Sequence, residues 1–139
     1  QATPRRDRGQ VRAALRDEDP GVRYWSVVGL RAAGPSAAAA DFDEALRDTA
    51  PAVRIEAAGA VLDRIVHAAA LDLLARELRS TDANAALHAA RTLQLLGPRA
   101  RPLLTLMKEQ LAAARKAEGV ETLAMFVRFA LETAVRDLE

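Results

Sequence analysis

Leu15-Arg16-Asp17-Glu18-Asp19-Pro20-Gly21-Val22-Arg23 is answered by Leu46-Arg47-Asp48-Thr49-Ala50-Pro51-Ala52-Val53-Arg54. Leu, Arg, Asp, Pro, Val and Arg return in register 31 residues later. A period of this length marks supersecondary units that stack, because one such unit cannot bury its own apolar face. Pro20 and Pro51 each fall where a helix begins, a position that tolerates proline because its missing amide hydrogen would have no partner there. The helix from Pro20 carries Val22, Ser26, Val27, Leu30 and Ala33 on one face and stops at Gly34-Pro35. The helix from Pro51 carries Val53, Ala57, Ala58 and Val61 and ends near Ile65.

A third unit follows at a spacing of 32, where Leu78-Arg79 answers Leu46-Arg47. Asp82 is its expected N-cap, and Ala85, Ala89, Ala90, Leu93 and Leu96 form its stripe. Gly97-Pro98 then ends the helix as Gly34-Pro35 ended the first. Partner helices are predicted over about 4–17, 36–48 and 68–80, and a fourth unit over about 99–117 and 120–138, with Arg101-Pro102 in a first turn. The last helix offers a broad apolar face of Leu123, Phe126, Val127, Ala130, Leu131, Ala134, Val135 and Leu138. Pairing Val127-Arg128 with Val53-Arg54 implies an insertion around Lys108–Gly119. The predicted fold is all-α: one domain over 1–139, an α-α superhelix of about four antiparallel helix pairs, with units near 4–34, 35–66, 67–97 and 98–138.

Composition agrees. The chain has 139 residues, half of them hydrophobic but only 4% aromatic. Alanine supplies much of the apolar count, which favours helices packed at close approach. The net charge of +1 gives no global field for nucleic acid or an anionic membrane. The cluster Arg5, Arg6, Arg8, Arg12, Arg16 is read as a solvated helix face. With no cysteine there is no disulfide, thiolate metal site or cysteine nucleophile. No apolar run approaches the ~18 residues of a membrane span, and no signal peptide is visible. The opening Gln1-Ala2, without an initiator Met, suggests a C-terminal piece of a longer protein.

Few residues point to chemistry, and no catalytic, cofactor or metal site is predicted. His67 and His88 lie 21 residues apart in different helices, which is no metal-ligand spacing. Asp41-Phe42-Asp43-Glu44 stands at a helix start, where carboxylates complement the dipole. Asp17 and Arg23, with Asp48 and Arg54, recur at one place in each unit, so an aspartate of one turn is expected to bond the arginine of the next in a structural ladder. The repeat also sets Trp25, Glu56 and His88 in one column, with Val28, Gly59 and Arg91 one turn on. Inner positions are assigned to Val22, Val53 and Ala85 and to Leu30, Val61 and Leu93. Tyr24, Trp25 and Val28 therefore fall off the core as a candidate interface, together with Glu56, His88 and Arg91. The competing reading has Trp25 plug the gap between the first two units.

The turn and second helix resemble HEAT-type repeats, which often read Asp-x-x-Pro-x-Val-Arg-x-x-Ala-x-x-x-Leu, over roughly residues 10–138. A narrower resemblance is to the C-terminal tails of bacterial sulfatases. It rests on Val22-Arg23-Tyr24-Trp25-Ser26-Val27-Val28-Gly29-Leu30, on Pro51-Ala52-Val53-Arg54-Ile55-Glu56-Ala57-Ala58, and on Met125-Phe126-Val127-Arg128-Phe129-Ala130-Leu131-Glu132. The resemblance implies a helical-repeat tail behind a catalytic domain and, for such enzymes, export to the periplasm or outside; without it the compartment would be read as cytoplasmic. The family's Cys/Ser-x-Pro/Ala-x-Arg motif maps onto no position, since the residues after Ser26, Ser36 and Ser80 do not fit it. The expected function is a non-catalytic scaffold or interaction domain whose partner is the upstream catalytic domain or another protein. The alternative is a free-standing HEAT-type module for protein–protein interaction. Fold resemblance alone does not decide between them.

Overall fold

The structure, a computed structural model, describes residues 4–117, 119 and 123–139, with side chains from Gly9 onward. The side chains of Arg5, Arg6 and Arg8, and residues 118 and 120–122 at the end of the expected insertion, lie outside the described residues. The described residues form seven α-helices and no strand. These are α1 (Pro4–Ala14), α2 (Pro20–Ala32), α3 (Pro51–Leu62), α4 (Ala68–Leu78), α5 (Ala83–Leu96), α6 (Leu104–Ala117) and α7 (Ala124–Leu138).

The ends of these helices follow from local chemistry. Asp19 caps α2 by accepting from the Gly21 amide at 2.8 Å, with Pro20 in the first turn. Asp82 caps α5 from the amides of Asn84 and Ala85. His67 caps α4, its Nδ1 accepting from the Ala70 amide at 3.0 Å. Gly34 and Gly97 follow α2 and α5 at φ 62° and 57°, backbone that a side chain disfavours.

Two expected helices differ. In place of a helix over 36–48 the chain makes three 3-10 turns, Gly34–Ser36, Ala39–Phe42 and Ala45–Arg47. A period of three sets Ala39, Phe42 and Ala45 on one side, and the latter two are buried. Arg64 holds this segment: its guanidinium donates to the carbonyls of Ala37, Ala60, Gly34 and Arg31 and lies 4.8 Å from the Phe42 ring centre. The stretch 97–103 is likewise 3-10 helical with Pro102 inside it, and the α-helix begins only at Leu104. The four predicted helix pairs thus appear as three pairs and one helix faced by 3-10 turns.

One core runs through the molecule. The helix α3 packs on α2, α4 and α5, and α5 in turn packs on α4 and α7. From Ala57 to Leu62 every residue of α3 is buried, as a helix covered on several sides requires. Val22 corrects the assignment of inner positions. Its repeat mates Val53 and Ala85 are buried, whereas Val22 is 38% exposed. It faces the groove between α1 and α2, beside Val11.

The expected aspartate-to-next-arginine ladder is not what forms: one Asp–Arg pair joins the turns, and it runs from Arg23 forward to Asp48. Arg23 donates to the carboxylate of the following turn, Asp48, through Nε at 2.8 Å and Nη2 at 3.1 Å. Its Nη1 binds the carbonyls of Asp17 and Glu18 in its own turn. Arg54 repeats the pattern on the carbonyls of Asp48 and Thr49, and its carboxylate is Glu77 at 2.7 Å. Among the described residues the Asp17 carboxylate bonds no arginine; it accepts from the Asp19 amide, as Asp48 accepts from the Ala50 amide. Ser80 takes the same place in the third unit, bonding the Asp82 amide.

Candidate functional site

The helices α2, α3, α5 and α7 carry a connected group of polar and aromatic side chains. On α2, Tyr24, Val28 and Arg31 share one face at helical spacing, as do Glu56, Gly59 and Asp63 on and just beyond α3. Arg31 Nε donates to Asp63 Oδ2 at 2.6 Å, and Arg31 Nη1 donates to Glu56 Oε1 at 3.1 Å. The other oxygen of Glu56 lies 3.3 Å from Nε2 of His88. A carboxylate only accepts, so the ring nitrogen carries the proton of that bond. Glu56 thereby ties α2 to α5 across α3.

Electrostatics follow from this placement. The hydrogen bond from His88 and the nearby Arg31 charge hold the Glu56 carboxyl below the usual range, against the effect of burial. Burial works against the Arg31 charge, but the Asp63 and Glu56 carboxylates outweigh it and move its pKa up. Burial and then the Glu56 charge push the Tyr24 hydroxyl up. A carboxylate engaged on both oxygens and only 13% exposed is a fastener, not a base poised for proton transfer.

Gly59 makes room for this network. A Cβ there would stand 2.7 Å from Arg31 Nη1 and 3.0 Å from Thr92 Cγ2. Thr92, buried on α5, satisfies its hydroxyl on the His88 carbonyl at 2.8 Å.

Above the network lies an aromatic strip. The Tyr24 ring meets Trp25 edge-on at 5.3 Å and His88 at 6.0 Å. Trp25 is 68% exposed, so it does not plug the gap between the first two units. His88 then forms part of a groove of about 520 Å³ between α5 and α7, walled by Leu87, Arg91, Phe126 and Phe129. Phe126 and Phe129 are 47% and 48% exposed. Arg91 is exposed, and its Nη1 donates to Gln94 at 2.6 Å. Arg128 lies over the Phe129 ring at 4.3 Å and bonds Glu132.

The candidate interface residues fall into two groups. Tyr24, Trp25, His88 and Arg91 reach the strip or the groove, with Val28 half-buried behind them, while Glu56 is packed beneath as its fastener. Sequence reasoning missed Arg31, Asp63, Phe129 and the outward turn of Phe126, which it had placed on the apolar face of α7. The signal was present: that face spans more positions than one buried stripe needs, so its edge must meet solvent. Arg31 follows no repeat, and only the missing side chain at Gly59 hints at it.

The chain matches no family model, and no curated protein sequence is similar to it. Among the described residues no helix is long and apolar enough to cross a membrane, and no group of His, Asp and Glu is placed to hold a metal ion. Ser26, Ser36 and Ser80 each engage local backbone and stand outside the strip.

Proposed function

We propose that this chain is a helical-repeat interaction domain of HEAT type, its units stacked as an α-α superhelix, and that it binds a protein through the aromatic strip. It performs no catalysis of its own. It forms the C-terminal part of a sulfatase-like protein and braces or completes the catalytic domain that precedes it. One observation carries the reading: of five aromatic residues only Phe42 is fully buried, and the other four line the strip and its groove. A chain so poor in aromatics would keep them in its core unless the surface had a use for them. The bonds of Arg23 and Arg54, each to a carboxylate of the next unit, support the stacked arrangement.

The test begins with the reading frame that encodes Gln1. A Cys/Ser-x-Pro/Ala-x-Arg stretch several hundred residues upstream is expected; an initiation codon close to Gln1 overturns the sulfatase assignment. The catalytic domain, produced separately, should then shift amide resonances of the isotope-labelled chain at Tyr24, Trp25 and along α5. Shifts confined to other faces, or none, overturn the proposed interface.

A further inference from the structure

The groove between α5 and α7 has a chemistry more specific than a generic apolar surface. Its walls are Leu87, Phe126 and Phe129, and among the described residues that line it the one full charge is the guanidinium of Arg91; Arg128, over the Phe129 ring, bonds Glu132. Among the described residues no carboxylate lines it. Among the described residues Arg91 forms no ion pair, and its bond to Gln94 occupies one nitrogen with a neutral acceptor. Glu56, the nearest carboxylate in the network, is engaged by His88 and Arg31 and is turned to the fastener beneath. The site therefore presents apolar walls beside one uncompensated cation.

We propose that this groove takes an extended polypeptide segment in which a bulky apolar side chain neighbours an Asp or Glu. The inference rests on the interaction reading above and names the chemistry of the partner. The apolar side chain enters between Phe126 and Phe129, and the carboxylate pairs with Arg91. A guanidinium can bind both oxygens of a carboxylate in parallel, which gives direction as well as attraction. A segment of chain fits better than a small molecule because aromatic surface extends past the groove: the Tyr24 ring stands 6.0 Å from His88 and meets the exposed Trp25 edge-on. Aromatic and arginine side chains are the residue types that carry most of the binding energy at such contacts. The volume, about 520 Å³, lies within the range of sites that enclose a ligand group.

The experiment is selection of random displayed peptides on the immobilised chain, followed by titration of the enriched peptides. Trp25, the sole tryptophan, and the amide resonances of α5 and α7 report the binding. The expected consensus places an acidic residue beside a large apolar one. Amidating its carboxylate, by Asp→Asn or Glu→Gln, should weaken binding about tenfold. Arg91→Gln should abolish that tenfold difference while the rest of the amide spectrum stays unchanged. Raising the salt concentration should weaken the acidic peptide and not the amidated one. Three results overturn the proposal: no enrichment, a consensus without carboxylates, or equal loss of both peptides with Arg91→Gln. In each case a shift of the α2 and α5 resonances by the separate catalytic domain would leave the interaction reading standing.

Discussion

Gly59 shows how much one absent methyl group can decide. It occupies a buried turn of α3 where alanine would raise helix propensity by about 0.8–1 kcal/mol. The added Cβ would meet the Arg31 guanidinium and the Thr92 methyl, so the guanidinium must shift, which disturbs first the Nη1 bond to Glu56. Gly59→Ala should lower stability in urea unfolding. The same change made in Arg31→Ala should cost less by about 1 kcal/mol, the coupling expected of side chains in contact. Equal costs in the two backgrounds would mean that Arg31 is not what the glycine accommodates. Glu56 adds a dependence on pH. Its folded pKa is held below the ordinary glutamate value of 4.5, so its contribution is complete above that value and is lost as pH falls through the folded pKa. A Glu56→Gln variant should therefore lose less stability than the parent between neutral pH and pH 4 or below, as thermal melts across that range would show.

At the scale of elements, the segment from Gly34 to Arg47 teaches the most. Its alanine run reads as a helix, and propensity alone supports that reading. The 3-10 turns prevail because carbonyls that an α-helix would use are taken by Arg64, and because the Asp41 carboxylate bonds the Ala38 amide. Such a claim on the backbone comes from a residue far along the chain, so no local window contains it. Arg64→Met keeps the aliphatic stem but removes a donor from four carbonyls, of which Gly34 keeps the Ala37 amide. It should cost about 2–4 kcal/mol, since unsatisfied buried acceptors retain their desolvation penalty. Hydrogen exchange should speed up first at residues 36–48; uniform acceleration across all helices would contradict this account. The other helices were legible because period, proline, cap and glycine agreed, as at Pro51, Asp82 and Gly97.

At the scale of the molecule, the repeat accounts for the scaffold, and its exceptions mark the surface. Arg23 and Arg54 recur because each joins one unit to the next, and Asp17 and Asp48 because each accepts from an amide of its own turn. Glu56 and His88 fell into one column by spacing alone and meet at 3.3 Å, yet Trp25 in the same column turns to solvent. Spacing aligns positions along a stack; it does not tell which of them a neighbour covers, and for that reason Val22 and Phe126 were placed inside. On the proposed interaction, Trp25, Phe126 and Phe129 serve a partner and not the fold. The direct measurement is the unfolding free energy of the isolated chain carrying Trp25→Ala or Phe129→Ala, with Phe42→Ala as the internal standard. Each surface change should cost less than about 1 kcal/mol, while Phe42→Ala should cost about 3–5 kcal/mol. Losses from Trp25→Ala or Phe129→Ala as large as that of Phe42→Ala would contradict the account.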